Sequence, residues 1–426
     1  MNSQSFSPNS LLYLLPETVK TKLWENLDKS DLLWLRDQDN QLLLVLYYSY
    51  LEARKGGKRI THDEHIFEAN ALENLIALEN SIITKAYRPS RSTAHIIKKP
   101  VTREIFAAPF RDRVVHHLIF NAVYDWWDNH FIYDSYSCRK DKGVLFGIQR
   151  MGHHIRSVSQ RYNRSAYVMK LDIEGYFMSL PRKRLYERAI WGLNQQYQEN
   201  TNSPSYKLIK YLWHMIIFDD PVKGAIKKGK LSDWDLLPHT KSLFCQPYGR
   251  GIVIGNLTSQ LLSNIYLDQL DRFVTKSLGY KHYGRYVDDF YIVVDESDLP
   301  QLKRDIKAIS NYLSSIGLRL HPKKRMLRNA SEGIPFLGAI VNVHHTIPGH
   351  RLVKNMNKAF LEVVAGKRDL STVPSYLGHA MHLNSYNYVK SAFNNAGWDY
   401  TDKDLLLPRK THPKIGRDGK FTTVGS

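Results

Sequence analysis

Two adjacent acidic residues between apolar arms constrain the fold of this chain more than any other feature. Asp288 and Asp289 lie within His282–Val294, whose other residues are mostly aromatic or β-branched and favour strands. If the two arms pair as a hairpin, the acids lie at its tip and face solvent or a cation. Neighbouring side chains on a strand point in different directions, so one acid can bind a metal that the other braces or shares. A solvated Asp-Asp turn is the alternative, because turns favour aspartate.

A third acid, Asp172, closes another apolar segment. The residues Ala166–Leu171 are apolar on both faces apart from Lys170, which is typical of a buried strand. An acid at the end of one strand and two acids at the tip of a neighbouring hairpin can converge. Two divalent ions about 3.5–4 Å apart can then bind between them and promote a phosphoryl transfer. Mg²⁺ suits such a site, because it takes a few carboxylates and completes its octahedron with phosphate and water oxygens.

The order of several motifs resembles that of the reverse transcriptase family. The strand end Asp172–Phe177 comes first, followed by the helix start Gly255–Gln260 (Gly-Asn-Leu-Thr-Ser-Gln) and the Tyr-Val-Asp-Asp hairpin. Upstream, Arg103–His117 is similar to the fingers segment of these polymerases. Downstream, Leu318–Lys324 is followed by Phe336–Gly338, which is similar to the primer grip. Several motifs in family order are far more specific than any one of them.

The resemblance implies an α+β fold of the right-hand polymerase type, with fingers, a ferredoxin-like palm and a helical thumb. The expected domains are an N-terminal helical extension at 1–50, fingers at 51–160, a palm at 161–345 with an insertion at about 190–245, and a thumb with a basic C-terminal tail at 346–426. Within the palm, apolar residues at steps of three and four from Leu299 to Ile316 predict a core-packed helix. Leu318–Leu320 is the predicted returning strand.

For activity, the resemblance implies an RNA-directed DNA polymerase that makes cDNA from a cognate RNA by two-metal nucleotidyl transfer. Asp172, Asp288 and Asp289 are the expected catalytic and metal-binding residues, and the main-chain carbonyl of Ile173 completes the metal ligands. The expected cofactor is a pair of Mg²⁺ ions, with Mn²⁺ as an alternative.

Several residues match family positions that bind the incoming dNTP. Phe177 matches the aromatic residue that excludes a 2′-hydroxyl group, with core packing as the alternative. Arg103 and Arg111 match cations that hold the triphosphate, since a guanidinium can bind phosphate oxygens bidentately. Arg113 in the same run can instead pair with Asp112.

Lys324 matches a further residue that acts on the incoming dNTP, and a later segment matches the primer grip. Lys324 matches a lysine that protonates the leaving pyrophosphate, with a contact to the nucleic-acid backbone as the alternative. Phe336, Leu337 and Gly338 are expected to steady the primer end, or else to pack a strand.

The helix after Gly255 is expected to face the nucleotide. Gly255 lets the backbone approach a base pair closely. Ile254 stands where many reverse transcriptases have glutamine. In having an aliphatic residue there, this chain resembles the enzymes of diversity-generating retroelements and bacterial relatives that serve phage defence. Such a residue is compatible with relaxed copying fidelity. A polar face at every fourth residue is expected to contact nucleotide and template, or else to be solvated: Asn256, Gln260, Asn264 and Asp268.

Histidine pairs do not predict a zinc site. Adjacent histidines rarely point at one ion, and the two cysteines have no ligand spacing. His379 and His382, one helical turn apart on the expected thumb, favour RNA stacking or packing. The pairs are His116-His117, His153-His154 and His344-His345.

Charge and composition indicate the partners. The net charge of +19 favours a polyanion. The expected partners are an RNA template, in particular a dedicated non-coding RNA, a DNA or RNA primer, dNTPs, and an accessory protein or a second copy of the chain. The basic run Arg54–Arg59 contacts RNA or DNA or is a solvated loop, and the tail Pro408–Ser426 is expected to be extended.

No membrane partner is expected, because the apolar run Leu42–Leu51 is too short to span a bilayer. The start of the sequence lacks a signal pattern, and the scarcity of cysteine fits a reducing cytoplasm. The expected setting is a bacterial or phage retroelement or an antiviral defence system. The alternatives are an inactive RNA-binding protein with the same fold, and a template-independent or protein-primed DNA polymerase in phage defence.

Overall fold

The structure is a computed structural model that describes residues 10–24, 38–55, 61–98, 101–398, 414–415 and 421–422. Helices and strands are mixed along the chain, which confirms the α+β class. The helices are α1 (Glu17–Trp24), α2 (Gln38–Ala53), α3 (His62–Ala69), α4 (Ala71–Ile83), α5 (Phe110–His130), α6 (Val144–Val158), α7 (Tyr176–Ser179), α8 (Arg182–Gln196), α9 (Pro204–Phe218), α10 (Leu231–Trp234), α11 (Leu257–Arg272), α12 (Leu299–Ser315), α13 (His350–Val364), α14 (Thr372–Ala380) and α15 (Tyr386–Asn395). The strands are β1 (Thr93–Ile97), β2 (Arg103–Ala107), β3 (Ala166–Ile173), β4 (Ile226–Lys227), β5 (Tyr283–Tyr286), β6 (Asp289–Asp295), β7 (Leu320–Asn329), β8 (Ile334–Phe336), β9 (Ala339–Val341), β10 (Thr346–Pro348), β11 (Lys414–Ile415) and β12 (Phe421–Thr422).

The chain divides into two compact units, each made of three segments. The first unit comprises Met1–Cys138, Ile173–Ser277 and Ala308–His321. The second comprises Arg139–Asp172, Leu278–Lys307 and Pro322–Ser426. The expected division into extension, fingers, palm and thumb stays a prediction.

A four-stranded sheet in the order β5-β6-β3-β7 forms the centre of the second unit. β3 pairs antiparallel with β6, from Ala166 opposite Asp295 to Asp172 opposite Asp289. β3 lies between two other strands, and its residue Val168 is fully buried. A nearly continuous apolar sequence suits such a strand. Helix α6 packs against β5 and β6. The predicted buried strand is therefore confirmed, with Asp172 as its penultimate residue.

The first unit contains a smaller sheet and a group of packed helices. β1 pairs antiparallel with β2 and parallel with β4. β4 comes from the expected insertion at about 190–245, so that segment joins a sheet whose other strands lie more than 100 residues upstream. Helices α5, α8, α9 and α11 pack together, with Trp127 and Trp213 among the largest fully buried side chains.

Three helices late in the chain form a cluster of their own in the second unit. α13, α14 and α15 bury Phe360, Val373, Val389 and Phe393 against one another. A helical region after residue 345 is thus confirmed. The expected helical turn from His379 to His382 is wrong, because α14 ends at Ala380.

Other local predictions have mixed outcomes. The helix predicted from Leu299 is α12, and its stripe residues Leu302 and Leu313 are fully buried. The returning strand begins at Leu320, two residues later than expected, and continues to Asn329.

Two basic segments fall largely outside the described residues. The run Arg54–Arg59 is described only to residue 55, where Arg54 donates to the carboxylate of Glu64 at 3.2 Å. Most of the tail Pro408–Ser426 also lies outside them. Among the described helices, each is too short or too polar to span a bilayer.

Candidate active site

The two adjacent acids lie at a hairpin turn. β5 and β6 pair with Tyr286 opposite Asp289, which leaves Val287 and Asp288 as the turn residues. Val287 has a φ of 56°, in the left-handed region that β-branched residues rarely adopt. The fully buried Arg285 donates from Nη1 to the Val287 carbonyl at 3.0 Å. The hairpin prediction is confirmed, and this buried guanidinium supports the turn that carries Asp288.

Strand pairing brings Asp172 beside the hairpin. Asp172 is opposite Asp289 in the register of β3 and β6. Lys324 Nζ donates to both carboxylate oxygens of Asp172, at 2.9 and 3.1 Å. Lys170 Nζ lies 3.1 Å from Asp289 Oδ2. The three predicted acids therefore form one cluster within the second unit, together with two lysines.

Burial and mutual repulsion set the charge of the acids. Burial, and after it the nearby carboxylate of Asp172, raises the pKa of Asp288 to about 6. Burial also raises the pKa of Asp289, and Lys170 opposes that shift. Asp289 Oδ1 is buried and has no hydrogen-bond partner among the described residues. At least this one acceptor of the cluster is therefore without a donor among the described residues.

The donor set fits a divalent cation, but its arrangement is not that of a closed metal site. Carboxylate oxygens are the ligands that Mg²⁺ prefers, and the unpartnered Asp289 Oδ1 offers one of them. Over the described ranges, however, no three His, Cys, Asp or Glu side chains are grouped so as to hold a metal ion. The carboxylate of Asp172 does not complete such a group, because Lys324 donates hydrogen bonds to both of its oxygens.

Lys170 also belongs to this cluster, although no role for it was predicted from the sequence. Besides Asp289, its Nζ donates to the Pro335 carbonyl at 3.1 Å and lies 5.5 Å from the centre of the Phe336 ring. Its side chain is 20% exposed. A lysine within an otherwise apolar buried strand signals a paired charge, because lysine is rarely buried without a partner. That signal was present in the sequence.

The expected primer-grip residues form a second hairpin in the same unit. Leu337 and Gly338 connect β8 and β9, and both have positive φ, 49° and 87°, as a two-residue turn of this type requires. Phe336 is buried and packs on Tyr291, with ring centroids 5.2 Å apart. Phe336 thus packs a strand, whereas Gly338 is exposed. Contact with a primer stays a prediction.

Arg111 is held in place by its neighbours in the first unit. Its Nη1 donates to Ser90 Oγ at 2.9 Å, and its guanidinium lies 5.0 Å from the centre of the Tyr87 ring. Its side chain is 35% exposed, so part of the guanidinium can meet an anion. Asp112 Oδ1 lies 3.9 Å from Arg111 Nη1. Arg113 Nε instead donates to the main-chain carbonyl of Ala108 at 2.9 Å. The alternative pairing of Arg113 with Asp112 is therefore wrong.

Contacts within the first unit explain why residue 255 is a glycine. Its φ is 132°, and a Cβ atom there would lie 2.2 Å from the Phe106 carbonyl oxygen. The Ile254 carbonyl accepts a hydrogen bond from Phe106 N at 2.9 Å, so this segment runs against β2. The close approach shown is to a strand, and the predicted approach to a base pair is not needed to explain the glycine.

Apart from Lys324, which is in the second unit, the other predicted nucleotide residues also lie in the first unit. Phe177 is half-buried and packs against a cluster that includes Ala94 and Phe106. The Ile173 side chain is fully buried, as expected for a residue that would act through its carbonyl. Arg103 and Gln260 are exposed. Their roles toward a dNTP stay predictions.

The polar face of α11 is partly a structural network. Asn264 is 1% exposed and donates to the Ser137 carbonyl at 2.8 Å. Asp268 is fully buried and accepts from Arg188 at 2.6 Å and from Arg272 at 3.0 Å. The expectation that these two residues contact nucleotide or template, or are solvated, is wrong, because their partners are within the protein.

Comparison with known proteins gives one family. A sequence profile of the family described as reverse transcriptase (RNA-dependent DNA polymerase) matches residues 97–341. Protein YkfC of Escherichia coli strain K12 is 20% identical over 344 residues, which cover 72% of this chain and 77% of that protein.

Solved structures of telomerases are also similar at low identity. Telomerase from Candida albicans, in complex with a TWJ fragment of telomeric RNA, is 13% identical with a TM-score of 0.43, covering 77% of this chain and 61% of that one. Apo telomerase from Candida tropicalis is 16% identical with a TM-score of 0.44, covering 77% and 63%. This chain therefore spans less than two thirds of those telomerase chains, and the family assignment rests on the sequence profile.

That profile covers more than half of the 426 residues and includes all three clustered acids. This chain therefore belongs to the reverse transcriptase family, whose members are RNA-dependent DNA polymerases.

Proposed function

We propose that this RNA-directed DNA polymerase makes cDNA by attack of a primer 3′-hydroxyl on the α-phosphate of a dNTP. A bond forms between the primer oxygen and phosphorus, and pyrophosphate leaves. The observation that carries the proposal is the clustering of Asp172, Asp288 and Asp289, in which the buried Asp289 Oδ1 has no hydrogen-bond partner within the described residues. Partly buried carboxylates with an acceptor oxygen that lacks a donor favour a metal-assisted reaction.

Asp172, Asp288, Asp289 and the main-chain carbonyl of Ile173 would hold two Mg²⁺ ions, or Mn²⁺ in their place. When bound, such ions activate the attacking hydroxyl and neutralise charge on the leaving oxygens. Lys170 would keep Asp289 Oδ2 in place, so that Oδ1 is the oxygen offered to a cation. Lys324, which is 58% exposed, would leave Asp172 and supply a proton to the pyrophosphate.

The remaining predicted residues would position the substrates. Arg111 is suited to hold the triphosphate, because Ser90 and Tyr87 already orient its guanidinium. Phe177 would exclude a 2′-hydroxyl group. The other assignments are Arg103 for the triphosphate, Ile254, Gly255 and Gln260 for the nucleotide, and Phe336, Leu337 and Gly338 for the primer.

The template is proposed to be a dedicated non-coding RNA, copied in the cytoplasm within a bacterial or phage retroelement or an antiviral defence system. The aliphatic Ile254 before Gly255 supports these branches of the family. The primer would be DNA or RNA, and an accessory protein or a second copy of the chain would complete the assembly.

Primer extension tests the proposal. Purified protein is mixed with a primed RNA template, dNTPs and Mg²⁺, and primer length is followed on a gel. We expect extension by the natural protein and by Glu296→Ala, which removes an exposed acid just after β6. We expect none by Asp288→Ala combined with Asp289→Ala. Extension that survives the double substitution would refute the assignment of the site.

A further inference from the structure

Four histidines from separate parts of the second unit line one cavity. His153, His344, His345 and His382 surround a space of about 260 Å³. A neighbouring cavity of about 470 Å³ shares Tyr162 and residues 342–345 with it. Within the described part of the chain, the histidines are not grouped so as to hold a metal ion. The two cavities together are called the histidine groove below.

The lining of the histidine groove is partly apolar, and its polar residues are basic or neutral. Neither cavity has an aspartate or glutamate among its lining residues. Arg156 and Arg164 supply positive charge, and Asn163, Asn329 and Asn342 supply amide donors and acceptors. Asp295 interacts electrostatically with Arg164 from outside the lining and offsets part of its charge. This chemistry suits a ligand with phosphates and hydrogen-bonding edges.

Tyr162 stands where the two cavities meet. Its hydroxyl accepts a hydrogen bond from Arg156 Nε at 3.0 Å, and its ring packs edge-on to His344 with centroids 4.5 Å apart. Gln160, Arg161 and Tyr162 all have positive φ, 50°, 58° and 77°. Three successive non-glycine residues in this region are costly, so the turn is held by its surroundings. Aromatic and imidazole rings fixed beside a groove are platforms on which bases stack.

We propose that the histidine groove binds an unpaired segment of RNA. The proposal rests on the proposed function, in which an RNA is the template. Ala166 lines the groove and begins β3, and Asp172 lies six residues along the same strand (172 − 166). At about 3.3 Å per residue, that separation is roughly 20 Å. The groove therefore binds RNA away from the acids, as an anchor for a segment that is not being copied.

Photocrosslinking tests the site directly. Single-stranded RNA containing 4-thiouridine is irradiated with the full chain, and crosslinked peptides are identified by mass spectrometry. We expect crosslinks in residues 160–166 and 342–346. Crosslinking needs no catalysis, so it is repeated with the Asp288→Ala plus Asp289→Ala protein. The same crosslinks there would separate this proposal from any failure of primer extension.

Fluorescence anisotropy measures how strongly the rings of the histidine groove contribute to the affinity for RNA. Tyr162→Ala combined with His344→Ala is expected to weaken binding of the same RNA about tenfold, the loss of roughly one stacked base. Tyr133→Ala, which removes an aromatic ring that is 61% exposed in the first unit, is the matched control and should bind like the natural protein.

Three results would overturn the proposal. One is the lack of crosslinks in both segments, which can be scored on the natural protein even if the double variant fails to fold. Another is that polyglutamate displaces the RNA as effectively as unlabelled RNA does, which would indicate a general anion-binding face. The last is crosslinking of a DNA oligonucleotide of the same sequence without crosslinking of RNA.

Discussion

Three carboxylates at one end of a sheet repel one another, and two lysines offset that repulsion in different ways. Lys324 is 58% exposed, so its ion pair with Asp172 is weakened by solvent and easily exchanged. Lys170 is 20% exposed and is also fixed by the Pro335 carbonyl. Lys170 is therefore the lasting counter-charge of Asp289, and Lys324 the replaceable one of Asp172.

Replacing Lys170 with methionine tests this difference. The substitution keeps the apolar stem and removes the bonds to Asp289 and Pro335. A hydrogen bond to a charged group is worth about 1.5–3 kcal/mol, so the rate of single-nucleotide incorporation should fall about ten- to a hundredfold. Rapid-quench kinetics measure it.

Lys170→Arg serves as the control, because it keeps the charge and should recover part of the rate. Equal losses in the methionine and arginine variants, or no loss in either, would contradict a role based on charge.

The raised pKa of Asp219, in the first unit, leads us to expect that the free energy of unfolding depends on pH. Burial raises the pKa of Asp219 to about 6, with Arg182 opposing, whereas an unfolded aspartate titrates near about 3.9. Between these values the folded protein binds more protons than the unfolded chain, so the free energy of unfolding falls as pH rises. Asp219→Asn should therefore be more stable than the natural protein at pH 7, with an advantage that shrinks toward pH 4.

Urea unfolding at several pH values between 4 and 7 measures the stability of Asp219→Asn against the natural protein. A difference that is constant with pH, or that grows toward pH 4, would show that Asp219 does not titrate in this way.

Among the elements, those whose pattern is local could be predicted from the sequence. The hairpin at Asp288 and Asp289 follows from apolar arms around a turn, and α12 follows from its apolar period. The burial of Asp268 could not be predicted, because it depends on Arg188, 80 positions away in the chain. The sequence signals that Lys170 is paired, but its partner Pro335 is 165 positions away and could not be predicted. A polar stripe on a helix looks the same in sequence whether its partners are water, a ligand or other side chains.

Two helical glycines with opposite surroundings give a paired prediction. In α8, a Cβ atom on Gly192 would lie 2.0 Å from the buried Trp127 ring, so Gly192→Ala should destabilise the protein by about 1–3 kcal/mol despite the better helix propensity of alanine. In α14, no atom lies within 4 Å of a Cβ atom on Gly378. Gly378→Ala should therefore stabilise by up to about 1 kcal/mol.

Thermal and urea unfolding of the two glycine variants distinguish packing from propensity. If both substitutions changed stability in the same direction, the close contact between α8 and Trp127 would be wrong.

At the scale of the whole molecule, family membership confirms the right-hand polymerase class that the ordered motifs predicted. The acids, the two lysines and the second hairpin all belong to one compact unit, whereas the residues other than Lys324 that are assigned to the dNTP belong to the other. Each unit consists of three segments, which alternate along the sequence with those of the other unit.

We propose that Asp172 and Asp288, which are distant in sequence, bind the same metal ions. Fe²⁺ in place of Mg²⁺, with ascorbate and peroxide, cuts a protein chain beside the bound ion, and the fragments can be sized by mass spectrometry. We predict cuts near residue 172 and near residue 288 together, both suppressed by excess Mg²⁺ and both lost in Asp288→Ala plus Asp289→Ala. Cuts at only one of these positions, or cuts that persist in the double variant, would show that the two residues do not share a metal site.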